Sequence, residues 1–166
     1  MSTVDIKVDL PPESQALIRG FQKLPDEVPQ AIKRGMDRAL QIVRGRIQEN
    51  RLSGIGPYPP GERRLGEVTG LLRGSVRAEP AVIQGNQVVG SIGTNVIYGR
   101  VHEFGMTIYP RVAKYLVFKI AGKTIFAKRS VIPERAPFRT GVTENVDFIA
   151  GEISGEIEKS LENLSK

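Results

Sequence analysis

The chain has 166 residues, enough for one packed domain and too few for two comfortable ones. Apolar residues make up 40% and charged residues 25%, a balance that points to a folded globular protein and away from disorder. No apolar run approaches the ~20 residues needed to cross a bilayer, the N-terminus lacks a secretion pattern, and the absence of cysteine excludes disulfides and thiolate metal sites.

These features predict a protein made in a cytoplasm with no membrane partner. Lys and Arg outnumber Asp and Glu by 24 to 18. The surplus favours polyanions or acidic surfaces as partners without choosing between them.

Residues 3–10 alternate, with Val4, Ile6, Val8 and Leu10 set against Asp5, Lys7 and Asp9, and predict a strand or extended arm over 1–10. Pro11-Pro12 closes it, and a short helix over 13–23 follows. A longer helix is predicted from between Pro25 and Pro29 to about Asn50, its buried stripe made of Val28, Ile32, Met36, Ala39, Val43 and Ile47. Pro29 is expected to open that helix or kink its first turn. The opposite face carries Lys33, Arg34, Arg38, Arg44 and Arg46.

Four glycines and three prolines over residues 51–66 rule out a regular element there. A loop this long inside one domain is usually functional or ordered by a partner. Residues 69–73 predict a capped helical turn. Two strands over 75–83 and 87–94 are joined by Gly85-Asn86. A brief helix over 95–104 ends at Gly105, and strands follow over 106–109, 115–120 and 124–132. After Pro133 to Pro137, one helix is predicted from Phe138 to Leu164, with Val142, Val146, Ile149, Ile153, Ile157, Leu161 and Leu164 on one face. The sum is a single α+β domain, an antiparallel meander packed by two long helices.

The residues for catalysis are sparse. His102 is the only histidine, and His102-Glu103-Phe104-Gly105-Met106 lacks the second imidazole of a helical zinc motif. No nucleophile elbow, phosphate loop or dinucleotide fingerprint occurs. Glu134 and Glu144 are the nearest thing to a carboxylate pair, and no spacing supports it. The expectation is a protein that is not an enzyme, with no cofactor and no metal. His102 and Glu103 are expected to be structural, pinning a short helix. Arg63, Arg64 and the basic helix face offer phosphate contacts, without the aromatic ladder of a single-strand binder.

Three stretches, taken in order, resemble one family. They are Leu24-Pro25-x-x-Val28 with the basic helix; Thr69-Gly70-Leu71-Leu72-Arg73-x-Ser75-Val76, Gly90 to Asn95 and Tyr98-Gly99-Arg100-Val101-His102-Glu103-Phe104-Gly105; and Ile132-Pro133-x-Arg135-x-Pro137-Phe138. Their order is similar to the virion-morphogenesis, neck and tail-completion proteins of tailed phages, including the minor tail protein Z type. The resemblance covers about residues 24–160. Members commonly read Arg-Pro-Phe at the last motif. Here Ala136 intervenes, which is expected to leave the helix entry intact and alter its angle.

The family's motif residues are fold determinants and carry no catalytic role. Leu71 and Leu72 are expected as core anchors, Tyr98 and Phe104 as plugs at the sheet's end, and Gly105 as the release into the next strand. Pro137 is expected to set the first turn of the last helix, with Phe138 packed beneath it.

The resemblance implies a virion protein of the head-tail joint, assembled in the host cytoplasm. It would form a cyclic homo-oligomer, most often a hexamer, between the head-closure or connector ring and the tail tube, with double-stranded DNA passing through its lumen. On that reading the basic helix lines the channel. The 51–66 loop, with Arg51, Tyr58, Arg63 and Arg64, stays mobile until a neighbouring ring orders it. A tail-terminator or minor tail protein capping the tube is the nearest alternative. A small basic DNA-binding protein and an enzyme with a carboxylate site are alternatives of other classes.

Overall fold

The computed structural model describes residues 12–59, 62–120 and 122–164, with the backbone alone for residues 12–22 and 120. The strand or arm expected over 1–10 lies outside these residues. The fold is α+β: among the described residues, five helices and antiparallel two-stranded sheets, with a long N-terminal helix and a C-terminal helix, in one domain.

The two helices expected in the first fifty residues are one, α1, running unbroken over Pro12–Asn50 through both Pro25 and Pro29. An interior proline removes a backbone bond and crowds the carbonyl four residues back, at about 3 kcal/mol. The two prolines are four residues apart, so both defects fall on one strip of the helix. Tertiary packing, which local sequence does not display, holds the rest. Helix α5 (Val146–Leu164), helix α4 (Pro137–Thr143), and strands β1 (Val76–Gln84) and β2 (Gln87–Thr94) all pack along α1. Ala31, Ala39, Leu40, Val43 and Ile47 are buried there. At Gly35 the α5 backbone comes so close that an added Cβ would lie 2.6 Å from Ile153 Cα.

The core joins Val43 and Ile47 of α1 to Leu52, Val76 and Phe138, with Leu65, Leu72, Ile92, Val142, Phe148 and Ile149 against them. The single helix expected from Phe138 is divided. Asn145 turns the chain at the break: its Nδ2 donates to the Gly141 carbonyl at 2.7 Å, and its Oδ1 accepts from Arg46. Val146 and Leu161, expected on the buried face, are 52% and 44% exposed.

The strands form three separate ladders where a meander was expected. β1 and β2 pair through the Gly85-Asn86 turn. Their register shifts between Glu79 and Val82, where Pro80 has no N–H to give. The Ala81 N–H, outside the ladder, donates to Asp37 Oδ1 of α1 at 2.6 Å, and Lys33 binds the other oxygen at 2.7 Å. Burial alone would raise the Asp37 pKa, but the bonds from Lys33 and Ala81 prevail and hold it below its usual value.

Strand β3 (Met106–Ile108) pairs with β6 (Ser130–Ile132). Between them lies a hairpin of β4 (Leu116–Ile120) and β5 (Lys123–Ala127). The strand expected over 124–132 is therefore two, because its halves take different partners and Lys128-Arg129 interrupts them.

Candidate functional site

Helix α3 (Ile97–Phe104) ends in the His102-Glu103 pair, and two of the motif segments meet there. The first turn of α4 leaves N–H groups without helical partners. Glu103, 8% exposed, supplies them: its Oε2 accepts from the Phe138 N–H and its Oε1 from the Arg139 N–H, each at 3.0 Å. The His102 carbonyl accepts the N–H groups of Arg135 at 2.9 Å and Ala136 at 3.2 Å. Those bonds close a turn in which Ala136 is buried in the left-handed region at φ 46°, and Pro137 opens α4. The residue between Arg135 and Pro137 is thus a left-handed alanine. Glu103 caps a neighbouring helix and not its own.

From that turn the Arg135 guanidinium reaches into the glycine- and proline-rich loop. Its Nη1 donates to the carbonyls of Pro59 (2.8 Å), Glu62 (2.7 Å) and Arg64 (3.2 Å), and Nη2 to Tyr58 (2.8 Å). The planar fork of arginine suits several acceptors at once. Backbone bonds from Leu65 N–H to the Arg51 carbonyl and from Glu67 N–H to the Gly54 carbonyl, both 2.8 Å, close the loop. Arg64 stacks 4.7 Å over the Tyr58 ring, Arg51 pairs with Glu144, and Arg63 is exposed. In the described residues the loop is therefore stitched to its own domain.

A cleft of about 330 Å³ lies between α3 and residues 65–73, lined by Leu52, Leu65, Leu71, Leu72, Tyr98 and His102. Burial, helped by the charge of Arg135, lowers the pKa of His102 below its ordinary 6.5. Its Nδ1 has no hydrogen-bond partner among the described residues, and Tyr98 meets it edge-on at 6.3 Å. Among the described residues no group of three or more His, Asp or Glu is placed to hold a metal.

The other expected site residues fall elsewhere. Leu72 packs on the core, but Leu71 is 57% exposed; Tyr98 and Phe104, expected as plugs, are 40% and 62% exposed. Helix period alone does not supply the partner that would cover these side chains. Pro137 and Phe138 are buried where expected, and Gly105 turns the chain at φ 69°.

Much of the basic face of α1 is occupied by α5 and by the α4–α5 break. Arg38 lies 3.0 Å from Glu156 and 3.8 Å from Glu152; Arg34 lies 3.7 Å from Glu156 and donates to Ser160 at 3.1 Å. Arg46 bonds Asn145 and sits 4.1 Å over the Phe148 ring, while Lys33 serves Asp37. Arg44 is half-buried, its Nε without a hydrogen-bond partner among the described residues.

Comparison of the chain with family models, with curated proteins and with solved structures finds no match.

Proposed function

We propose that this chain is a ring-forming structural subunit of a tailed-phage particle, at the joint between head and tail. The observation that carries the reading is the state of its sheets. Among the described residues each ladder has only two strands, and each strand has one unpaired edge. An isolated two-stranded ladder is marginal in water, and an open edge is a template for another strand. Large apolar residues on these ladders face solvent, among them Val82, Val117, Phe126 and Val131, at 52–66% exposure. A subunit whose strands are completed by its neighbours in a closed ring resolves both problems, since cyclic symmetry leaves no edge over. The order of the sequence motifs supports the phage setting, and the joint at Glu103 gives two of those motifs a shared physical task.

The test is the native mass of the purified chain, alone and after mixing with tail tubes or DNA-filled heads. A ring, or a monomer that becomes one on contact with those partners, supports the proposal, and the partner that triggers it separates a neck subunit from a tail terminator. A monomer indifferent to both overturns it.

A further inference from the structure

The distribution of charge singles out one part of the fold. From Phe104 to Pro133 there are six cations, Arg111, Lys114, Lys119, Lys123, Lys128 and Arg129, and no carboxylate. Setting those six aside leaves 18 cations in the rest of the chain against 18 carboxylates. The whole formal surplus of +6 therefore lies in this one segment.

It is also one structural unit. β3 and β6 form its base and the β4–β5 hairpin its end, and the hairpin's main contacts are between its own two strands. All six cations are exposed, and no ion pair engages any of them among the described residues. Lys119 pairs across the ladder with Thr124, and Lys123 with Ile120, so the two lysines fall on opposite faces of the ribbon. Val117 lies opposite Phe126, a cross-strand contact that helps hold the ribbon together.

We infer that this arm, residues 106–132, is a binding element for the phosphate backbone of duplex DNA. It rests on the head-tail reading for its place in the particle, where it is the part that meets the DNA. Cations on both faces of a narrow ribbon suit a ligand that presents charge along a length. Duplex DNA does so, with one negative charge per about 1.7 Å of axis. A second copy of this chain fits less well, because on α5, its most acidic element, Glu152 and Glu156 are already paired with Arg38, Arg34 and Lys159. Nothing in the arm supplies a pattern for reading bases, so the contact is independent of sequence.

The experiment is binding of a fluorescent 30-base-pair duplex to the full chain as salt is raised, with native mass recorded on the same samples. Six phosphate contacts predict a log–log slope near −5, a loss of about a thousandfold between 50 and 200 mM salt. K119Q/K123Q should flatten the slope by about two. K119R/K123R should restore it, and K23Q/R100Q, which removes the same charge from exposed sites elsewhere, should leave it nearly unchanged.

No binding at 50 mM salt with micromolar protein overturns the inference. So does an equal loss in both Gln pairs, which would make net charge the cause, or a K119Q/K123Q variant that alters native mass but not DNA affinity, which would make the arm a subunit contact. A chain that never forms a ring yet shows the arm-dependent slope keeps this inference and sinks the ring. A ring that ignores duplex does the reverse.

Discussion

Glu103 shows how one side chain can fix the relation of two elements distant in sequence. Its two oxygens take the Phe138 and Arg139 N–H groups, which would otherwise be unsatisfied at the start of α4. Because the site is buried, truncation removes the bonds without admitting water freely. Glu103→Ala should therefore cost about 2–3 kcal/mol, the range for hydrogen bonds to a charged group, and Glu103→Gln, which keeps one acceptor, about half of that. Denaturant midpoints at constant slope measure both; an alanine variant within 0.5 kcal/mol of the parent would show that α4 does not depend on the cap. Gly105, next but one along the chain, has φ 69° and ψ 158°, a conformation essentially reserved for glycine. A Cβ there would stand 2.9 Å from the Glu134 nitrogen and 3.2 Å from the Ile132 carbonyl oxygen. Gly105→Ala should lose about 1–3 kcal/mol by the same measurement, and an unchanged midpoint would mean that the β3–β6 ladder moves aside at little cost.

At the scale of elements, Arg135 does for the loop what Glu103 does for α4. Its four carbonyl contacts reach Tyr58, Pro59, Glu62 and Arg64. Arg135→Ala should release it, lowering protection of the Leu65 and Glu67 amides about tenfold or more in hydrogen exchange while α1 amides keep theirs. Arg135→Lys should recover little, since an ammonium cannot serve four acceptors in a plane. Unchanged exchange in both variants would assign the loop's order to its backbone bonds and to the Tyr58–Arg64 stack. The sequence displayed some of this and hid the rest for identifiable reasons. The α1 stripe, the Gly85-Asn86 turn and the stop at Gly105 were legible because periodicity and turn chemistry are local. The passage of α1 through Pro25 and Pro29 was not, because packing overrides propensity there. The Arg135 clamp was missed because its acceptors are carbonyls, which every residue carries. The charge on the arm is countable in the sequence, but so are the cations on the basic face of α1. Only their pairing with α5 sets them apart.

For the molecule as a whole, α1 is a spine with α5 on one flank and the β1–β2 hairpin on another, and each junction contains a carboxylate held ionised. On the α5 side Glu156 is 8% exposed. The hydrogen-bonded Lys159 ammonium, helped by the charges of Arg38 and Arg34, lowers its pKa below the ordinary 4.5. On the hairpin side Asp37 lies below its ordinary 3.8, burial being outweighed by the bonds from Lys33 and the Ala81 N–H. Both folded-state values lie below those of the unfolded chain, so the unfolded chain takes up protons first as pH falls. The stability these groups contribute is complete above about pH 5 and is lost below pH 4.5 for Glu156 and below 3.8 for Asp37, as each titrates through its folded value. The melting temperature attributable to these groups should be flat from pH 7 to about 5 and then fall. Glu156→Gln, which has no proton to take up at that position, should melt lower than the parent at pH 7 and converge with it toward pH 3. Parallel curves over the whole range would mean that Glu156 does not couple α1 to α5 through its charge. Because the six arm cations take no part in either junction, K119Q/K123Q should trace the parent curve. That separation fits the proposed reading, in which one set of charges holds the fold while another remains free for a partner.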